Sequence, residues 1–321
     1  MTTRLQDLTY YNTGGTCDLL ESPESIQELA RARTEIHSQQ QDYFLLGGGS
    51  NSLVMDTHFK GVVVSFHKLR SIKIEGDLVY AEAGVENSEL VRFCHSHGLT
   101  GLEWMYRLPG QIGATTRMNA RCYGGEISQV VSKVESVDQF GEVRVHQGGA
   151  PTFRGYKDTI FMTNNEAIGS VWLQLTPGDP ASIRRVMDQC EQDRTSKNQF
   201  QHPSCGCVFK NDYEIGIPSG LLLDAAGVYQ LKPKPGLEIN SKHANFLFNK
   251  GCTSDDLLEF TLQMRQLVFD KLGVWLEYEM EILGHKPTIL EKEWARQEKH
   301  QPKEARLAPL RKRFQGTRAN D

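Results

Sequence analysis

The stretch that decides the fold is residues 43–54, Tyr-Phe-Leu-Leu-Gly-Gly-Gly-Ser-Asn-Ser-Leu-Val, where three glycines follow a short apolar run. The apolar run and segments 52–54 and 61–66 have the pattern of buried strands. Three glycines let the backbone bend tightly and expose successive N–H groups, which suits a phosphate or pyrophosphate. The loop lacks the spacing of a G-x-G-x-x-G loop and the lysine of a P-loop. Taken alone, an ordinary tight turn is the better interpretation.

A second glycine-dense region changes that interpretation. Residues 109–114 read Pro-Gly-Gln-Ile-Gly-Ala, and Met-Asn-Ala at 118–120 and Tyr-Gly-Gly-Glu at 123–126 follow closely. The two glycine loops each follow a strand, and about sixty residues separate them. Such a pair predicts that a dinucleotide is clamped from two sides.

Composition excludes several classes of protein. The chain has 321 residues, 39% hydrophobic and 24% charged, with a formal net charge of −4. This balance is typical of a globular protein and gives no reason to expect nucleic-acid binding. No apolar run reaches the roughly 18 residues of a membrane span, and the first 18 residues have no signal pattern. Seven cysteines, an odd number, indicate reduced thiols, so we expect a cytoplasmic protein.

Hydrophobic patterning divides the chain into four segments, 1–67, 68–180, 181–284 and a tail, 285–321. Ser22 or Ser25 is expected to cap a first helix, residues 71–84 read as a hairpin, and residues 88–97 read as a short helix. The third segment predicts one helix from Ala181 and a second from Ser254, with Gly273 ending the second. The tail has ten Lys or Arg against five acidic residues, and we expect it to be mobile or loosely helical.

Seven motifs in this order resemble those of the UDP-N-acetylenolpyruvoylglucosamine reductase family, the MurB family. The resemblance runs from about residue 8 to residue 284 and leaves only the tail uncovered. The chain resembles the shorter of the family's two architectures. The matching motifs are Gly-Gly-Gly-Ser-Asn at 47–51, Pro-Gly-x-x-Gly-Ala at 109–114, residues 118–126, Tyr-Lys-Asp-Thr at 156–159, Gly-Cys-Val-Phe-Lys-Asn at 206–211, His-Ala-Asn-Phe at 243–246, and Glu279 five residues before Gly284.

The resemblance implies an α+β fold, with a two-part FAD-binding domain of the vanillyl-alcohol-oxidase (PCMH) type and a C-terminal α+β substrate-binding domain. It implies non-covalent FAD, NADPH as hydride donor, and reduction of UDP-N-acetylglucosamine enolpyruvate to UDP-N-acetylmuramate for peptidoglycan synthesis. We expect a monomer with no resident metal. The cofactor-binding positions it implies are Gly47, Gly48, Gly49, Ser50, Asn51, Ser52, Pro109, Gly110, Gly113, Ala114 and Asn119.

The resemblance also implies three catalytic positions, two of them altered. Cys207 stands where the family usually has a serine proton donor, and Lys157 stands where it has an arginine. A thiol with a pKa of about 8.5 is mostly protonated at neutral pH and can donate a proton. Lysine replaces the planar fork of arginine with a point charge, and Arg154 or Arg117 is a candidate to assist it. Glu279 matches the third position, a carboxylate that orients the reacting group.

Each position has a plain structural alternative. Cys207 could be a buried structural cysteine, Lys157 a solvated surface lysine and Glu279 one of several solvated carboxylates. The pair Cys205 and Cys207 near His202 resembles half of a zinc site, but no second pair has the right spacing. By the resemblance, the positions that bind or line the substrate site are Tyr123, Tyr156, Lys210 and Asn211.

Three other functions stay open at this stage. A related FAD-linked oxidase would use another substrate and oxygen. A non-catalytic FAD or nucleotide-sugar binding protein would fit the changes at Lys157 and Cys207. The tail could be an interaction module for other wall-synthesis enzymes. His243 and Asn245 are expected to brace the third segment.

Overall fold

The computed structural model describes residues 4–284 and 301–318, with the backbone alone for 315–318. The strands in these ranges are β1 (Cys17–Glu21), β2 (Tyr43–Leu46), β3 (Ser52–Val54), β4 (Phe59–Ser65), β5 (Ile72–Glu75), β6 (Leu78–Glu82), β7 (Leu99–Thr100), β8 (Arg121–Cys122), β9 (Gly125–Glu126), β10 (Val131–Val137), β11 (Val143–Gln147), β12 (Phe153–Gly155), β13 (Asp158–Thr159), β14 (Ala167–Gln174), β15 (Thr176–Pro177), β16 (Leu237–Ile239), β17 (Leu247–Asn249) and β18 (Glu281–Leu283). The α-helices are α1 (Ile26–Ser38), α2 (Asn87–Ser96), α3 (Ile112–Arg117), α4 (Pro180–Ser196), α5 (Ser219–Ala226), α6 (Ser254–Leu272) and α7 (Glu304–Arg318).

The first of two compact units comprises residues 17–49 and 59–196. It contains a parallel sheet in the order β1-β4-β2 and an antiparallel sheet in the order β11-β10-β14-β6-β5. Its hydrophobic core includes the alternate residues Val62 and Val64 of β4 together with Leu90 of α2. The apolar run at 43–46 is thus a strand, as predicted, and the glycines directly follow it.

Local signals in this unit behave as the sequence predicts. Ser25 caps α1 by accepting a hydrogen bond of 3.2 Å from the N–H of Glu28, which satisfies one of the unpaired donors of the first turn. The predicted hairpin is formed by β5 and β6, with Gly76 in the turn at a φ of +65°. The predicted short helix at 88–97 is α2.

The second unit gathers three separate parts of the chain, residues 4–16, residues 50–58 and the chain from Lys197 onward. Strand β3, which follows the first glycine loop, pairs in parallel with β18, and Ser52 lies opposite Glu281. The core of this unit includes Phe209, Leu257 and Met264 and also takes in Tyr11 from the N-terminal part. The domain boundaries that the sequence predicts near residues 67, 180 and 284 divide the chain more finely than these two units do, and they stay a prediction.

Helix α6 begins at Ser254, as the sequence predicts, and its first turn has a capping box that the sequence reasoning missed. Thr253 accepts a hydrogen bond from the N–H of Asp256, and the Asp256 carboxylate accepts one from the N–H of Thr253. This reciprocal capping box satisfies donors that the first turn leaves unpaired. Gly273 ends the helix with a φ of +71°, a left-handed conformation that glycine adopts without strain.

The tail contains a helix that packs on the second unit. Within α7, Leu307 is fully buried in the core of that unit, and Leu310 packs against the same core. Of the two expectations for the tail, mobile or loosely helical, the helix agrees with the second, and the first does not describe the buried Leu307. Residues 285–300 lie outside the described part of the chain.

Candidate active site

The two glycine loops contact each other inside the first unit. A Cβ atom on Gly47 would lie 3.1 Å from the Cβ of Ala114, and one on Gly48 would lie 3.3 Å from the Cα of Gly110. Both distances are tighter than ordinary van der Waals contacts, so the approach of the loops depends on small residues on both sides. The structure thus brings the two loops together, and the predicted clamping of a dinucleotide between them stays a prediction.

The second loop is itself packed against a strand end. The N–H of Gly113 donates a hydrogen bond of 2.9 Å to the carbonyl of Ala83, and a Cβ at Gly113 would lie 2.6 Å from the Cβ of Ala83. Asn119 is fully buried, and its amide donates to Glu126 and to the carbonyl of Gly155, both at 2.8 Å. The side chain of Asn119 thus holds protein segments together, and its assignment to the cofactor remains a prediction.

Two buried polar atoms beside these loops fit a bound dinucleotide. The Oε1 of Gln111 and the Oγ1 of Thr116 have no hydrogen-bond partner in the protein. The Gln111 oxygen lies 3.6 Å from the point that a Cβ on Gly47 would occupy. A buried polar atom left without a partner costs about 1–3 kcal/mol, which a ligand can recover. The FAD that the sequence predicts fits these loops for two reasons. Their small residues leave the backbone accessible, and two buried polar atoms beside them have no partner in the protein.

A cluster of charged residues in the first unit lies beside Tyr123. The Tyr123 hydroxyl donates a hydrogen bond of 2.6 Å to Asp193, and the guanidinium of Arg194 lies 4.9 Å from the centre of its ring. Burial and the bond to Asp193 raise the pKa of Tyr123 well above its usual range. Arg194 is itself buried and donates to the thiol of Cys122 at 3.3 Å. The sequence reasoning missed Arg194, whose position in the last turn of a predicted helix carries no functional signal.

Lys157 occupies the tight turn between β12 and β13, where its φ is +54°. Its ammonium lies 5.9 Å from the centre of the Tyr156 ring. Burial raises the pKa of the Cys122 thiol, and the charges of Arg194 and then Lys157 oppose that shift. Lys157 therefore contributes positive charge to the same cluster.

Arg154, on the strand before Lys157, forms hydrogen bonds within its own hairpin. The guanidinium of Arg154 donates to the carboxylate of Asp158 and to the carbonyl of Thr159, each at 2.7 Å. These bonds hold the side chain against its own hairpin. The hypothesis that Arg154 assists Lys157 gains no support from this geometry.

The predicted catalytic cysteine begins a short extended segment in the second unit, residues 207–211. Cys207 forms an antiparallel bridge with Phe246, and Phe209 forms one with Tyr278. The N–H of Glu279 donates a hydrogen bond of 2.8 Å to the carbonyl of Val208. Backbone pairing therefore brings the segment that carries Cys207 alongside the segment that carries Glu279.

Asn245, from the His-Ala-Asn-Phe motif, braces this extended segment. Its Oδ1 accepts a hydrogen bond of 2.9 Å from the N–H of Phe209, and its Nδ2 donates to the carbonyl of Phe209 at 2.8 Å. The same Nδ2 donates to the hydroxyl of Ser219 at 2.8 Å. Because every one of these bonds is buried, the backbone of residues 207–211 has little freedom to move.

The end of the first glycine loop is also bonded to the segment that carries Glu279. The Nδ2 of Asn51 donates to the carbonyl of Glu279, and the N–H of Glu281 donates to the carbonyl of Asn51, both at 2.9 Å. The Asn51 side chain thus has a protein partner inside the second unit. Its assignment to the cofactor, like those of Ser50 and Ser52, remains a prediction.

A cavity of about 370 Å³ opens beside Cys207 in the second unit. Asn211, also predicted from the sequence, lines it, whereas the ammonium of Lys210 lies 3.8 Å from Glu277. Further polar lining residues that the sequence reasoning missed are Ser219, Asp224, Tyr229, Ser241 and Lys242. A cavity of this size with a few polar groups is typical of a small-molecule site.

The predicted site residues fall into two groups. Cys207, Lys210, Asn211 and Glu279 belong to the second unit, and Tyr123, Tyr156 and Lys157 belong to the first. In residues 4–284 and 301–318, no three His, Cys, Asp or Glu side chains are placed to hold a metal ion.

Two domain families match the chain. Residues 18–146 match an FAD binding domain, and residues 198–283 match the C-terminal domain of UDP-N-acetylenolpyruvoylglucosamine reductase. A UDP-N-acetylenolpyruvoylglucosamine reductase from Lactococcus lactis is 33% identical over 283 residues, which cover 88% of this chain and 93% of that protein. The chain belongs to the UDP-N-acetylenolpyruvoylglucosamine reductase family.

Two further relatives agree. The reductase of Pediococcus pentosaceus is 34% identical over 281 residues, covering 87% of this chain and 92% of that protein. The crystal structure of the reductase (MurB) from Thermus caldophilus is 28% identical, with a TM-score of 0.73, and covers 88% of this chain and 98% of that one.

The comparisons confirm four predictions made from the sequence, namely the family, the α+β fold with its FAD-binding domain, the FAD cofactor and an FAD-dependent oxidoreductase activity. They do not favour the oxidase or the non-catalytic alternative. None of the helices within the described ranges is long and apolar enough to cross a membrane.

Proposed function

We propose that this protein reduces the enolpyruvyl double bond of UDP-N-acetylglucosamine enolpyruvate to give UDP-N-acetylmuramate. Membership of the reductase family carries this proposal. The second unit supports it, because backbone pairing brings the segments of Cys207 and Glu279 together and Cys207 borders a cavity lined by Asn211.

The two glycine loops would hold FAD, which would supply the outer carbon of the double bond with a hydride that comes from NADPH. Negative charge then develops on the inner carbon and spreads into the adjacent carboxylate as an enolate. The site therefore needs a cation near the developing charge and a proton donor near the inner carbon. In our proposal Lys157 supplies the cation and the thiol of Cys207 supplies the proton.

The remaining residues hold the reacting groups in place. Glu279 orients the reacting end of the substrate, and Asn245 limits the movement of the segment that carries Cys207. Tyr123, Tyr156, Lys210 and Asn211 contact the substrate in this proposal. Holding the groups in register matters because a displacement of about 1 Å can cost a hundredfold in rate.

We also propose that the enzyme is a cytoplasmic monomer that makes peptidoglycan precursors. All seven cysteines are free thiols, which suits a reducing compartment. A single species of 36.2 kDa in light scattering after gel filtration is the expected result, and a larger mass would contradict the monomer.

An anaerobic assay of the two half-reactions tests the function. NADPH is expected to bleach the bound flavin, and UDP-N-acetylglucosamine enolpyruvate is then expected to restore its colour. Bleaching without recovery would overturn the proposed acceptor. Failure to bind FAD after reconstitution would overturn the assignment of the glycine loops.

A further inference from the structure

The C-terminal helix α7 begins after the last residue of the family match, residue 283. The segment before it is bound to the end of α6. The N–H of Gln301 donates to the carbonyl of Gly273 at 2.8 Å, and the N–H of Lys303 donates to the carbonyl of Leu272 at 2.9 Å. A Cβ on Gly273 would come within 1.8 Å of the Gln301 oxygen, so the absence of a side chain there is needed for the tail to dock.

Two leucines of α7 anchor the helix in the second unit. Leu307 has no exposed surface, and Leu310 packs against the same hydrophobic core. That core also contains Ile215 and Ile217. Burying a leucine stabilises a fold by about 1.5–3 kcal/mol, which favours a docked helix over a free one.

Arg311, one residue after Leu310, contacts a loop of the second unit directly. Its Nε donates a hydrogen bond of 2.9 Å to the carbonyl of Ile215. Its two terminal nitrogens donate to the carboxylate of Glu304 at 2.6 and 3.2 Å. The bidentate pair fixes the plane of the guanidinium, so the Nε stays aimed at the carbonyl.

The loop held by Arg311, residues 212–218, connects two residues that line the cavity. Asn211 precedes the loop and Ser219 follows it, and both border the cavity. The Oδ1 of Asn211 accepts hydrogen bonds from the N–H of Ser219 at 2.9 Å and from its hydroxyl at 3.1 Å. We call residues 212–218 the cavity loop. Arg311 holds the middle of this loop, and both of its ends form the cavity wall.

We propose that α7 is a clamp on the cavity loop and that Arg311 is a positioning residue for substrate binding, acting through the carbonyl of Ile215. The proposal rests on the proposed function, because it takes the cavity as the place where Asn211 contacts the UDP-sugar. Loss of the bond to Ile215 would let the middle of the loop move, and Asn211 and Ser219 would then depend on their mutual bonds and on Asn245 for their placement.

The test compares Arg311→Ala with Lys312→Ala in the full-length FAD-loaded protein. Lys312 is the adjacent exposed residue of α7, so its replacement removes the same charge from the same helix without touching the cavity loop. We expect Arg311→Ala to raise the KM for UDP-N-acetylglucosamine enolpyruvate about three- to tenfold, which is the size of effect expected from one ordinary hydrogen bond. We expect kcat, flavin content and reduction by NADPH to stay unchanged, and Lys312→Ala to resemble the wild type.

Hydrogen exchange provides a readout that does not depend on the reaction. The amides of the cavity loop are expected to exchange faster in Arg311→Ala and at the wild-type rate in Lys312→Ala. Glu304→Gln weakens the fork that aims Arg311 but keeps Leu307 in place, so a smaller shift in the same direction is expected. If Arg311→Ala does not fold, Glu304→Gln is the variant that tests the proposal.

The outcomes separate the clamp from the proposed function. If the wild-type flavin is not reoxidised by the UDP-sugar, the proposed function fails, and faster exchange in Arg311→Ala would still support the clamp. Unchanged exchange in Arg311→Ala overturns the clamp. Faster exchange with an unchanged KM overturns the positioning role of Arg311.

Discussion

The side-chain amide of Asn51 donates a hydrogen bond of 2.9 Å to the backbone carbonyl of Glu279, 228 residues further along the chain. The backbone N–H of Glu281 returns a bond of 2.9 Å to the carbonyl of Asn51. The last residue of the Gly-Gly-Gly-Ser-Asn motif thus holds the segment, just before β18, that carries a predicted catalytic carboxylate. From the neighbouring residues of the motif alone, Asn51 would be predicted only to bind the cofactor.

Replacing Asn51 with Asp removes the donor and places a carboxylate oxygen against the Glu279 carbonyl. We expect the free energy of unfolding of flavin-free protein to fall by about 1–3 kcal/mol. Urea denaturation of the apoprotein measures this, with Asn198→Asp as a matched control. A flavin-free variant as stable as the wild type, with weaker FAD binding, would instead favour a purely cofactor-binding role.

Replacing Cys207 with Ala removes the proposed proton donor. Flavin reduction by NADPH is expected to stay at the wild-type rate, while reoxidation by the enolpyruvyl substrate slows by about 100-fold or more. Cys207→Ser is expected to remain active, since a hydroxyl can also donate. Stopped-flow absorbance of the flavin separates the two steps. Two unchanged half-reactions in Cys207→Ala would show that another group donates the proton.

Lys157 is expected to stabilise the enolate through its charge. Lys157→Ala should slow flavin reoxidation by at least about tenfold, whereas Lys157→Arg, which restores a planar fork, should change it only modestly. Rapid-mixing kinetics of reoxidation measures both, with the exposed Lys60→Ala as control. Reoxidation in Lys157→Ala that matches the control would return Lys157 to the role of a surface residue.

The contact between the glycine loops predicts a compensating pair. Gly47→Ala places a methyl group 3.1 Å from the Cβ of Ala114, so the loops must separate and FAD affinity should fall. Gly47→Ala with Ala114→Gly removes the clash and should recover most of that affinity, at about 1 kcal/mol of helix stability. Titration of the apoprotein with FAD checks this. If the double variant binds FAD no better than Gly47→Ala, the loop contact does not set the affinity.

Glu86 predicts a pH effect on stability. Burial is the largest influence on its carboxyl group and raises its pKa above the ordinary value of 4.5, although a bond from Gln111 opposes the shift. The folded state then holds this proton more tightly, so the free energy of unfolding falls as pH rises from about 4.5 through the raised pKa and stays lower above it.

Glu86→Gln should remove that loss, because it cannot ionise while its amide oxygen can still accept the bond from the Nε2 of Gln111. The variant should unfold at a higher temperature than the wild type at pH 8, with a smaller difference at pH 4. Calorimetry at the two pH values checks this. An equal difference at both would point to packing and not to ionisation.

The parts of the fold that the sequence predicts well depend on local chemistry. Ser25 caps α1, Gly273 ends α6, and Gly76 turns the β5–β6 hairpin, each because its own neighbours demand that residue type. The expectation that each glycine loop follows a strand holds only for the first, because the second follows a short 3-10 helix at Glu103–Met105, and the contact between the loops depends on small residues of both.

Features that depend on distant partners were not predictable from one sequence. Nothing near Asn51 indicates that its amide bonds to Glu279, and nothing near Arg194 indicates that its charge lies on the ring of Tyr123. The docking of Leu307 was missed because α7 has few apolar residues and no clear period. In each case the deciding contact joins residues that the chain separates widely.

The discontinuous make-up of the second unit has a consequence for how the protein can be divided. A fragment that starts at Lys197 would hold Cys207, Asn211 and Glu279 yet lack β3, so β18 would present an open edge. It would also lose the carbonyl of Tyr11, which pairs with the amide of Asn249 at 2.9 Å. The part of the second unit that is synthesised last, from Lys197 onward, is therefore completed by segments that are synthesised first. We expect that a gene fragment or a transplanted domain that begins at Lys197 does not fold independently.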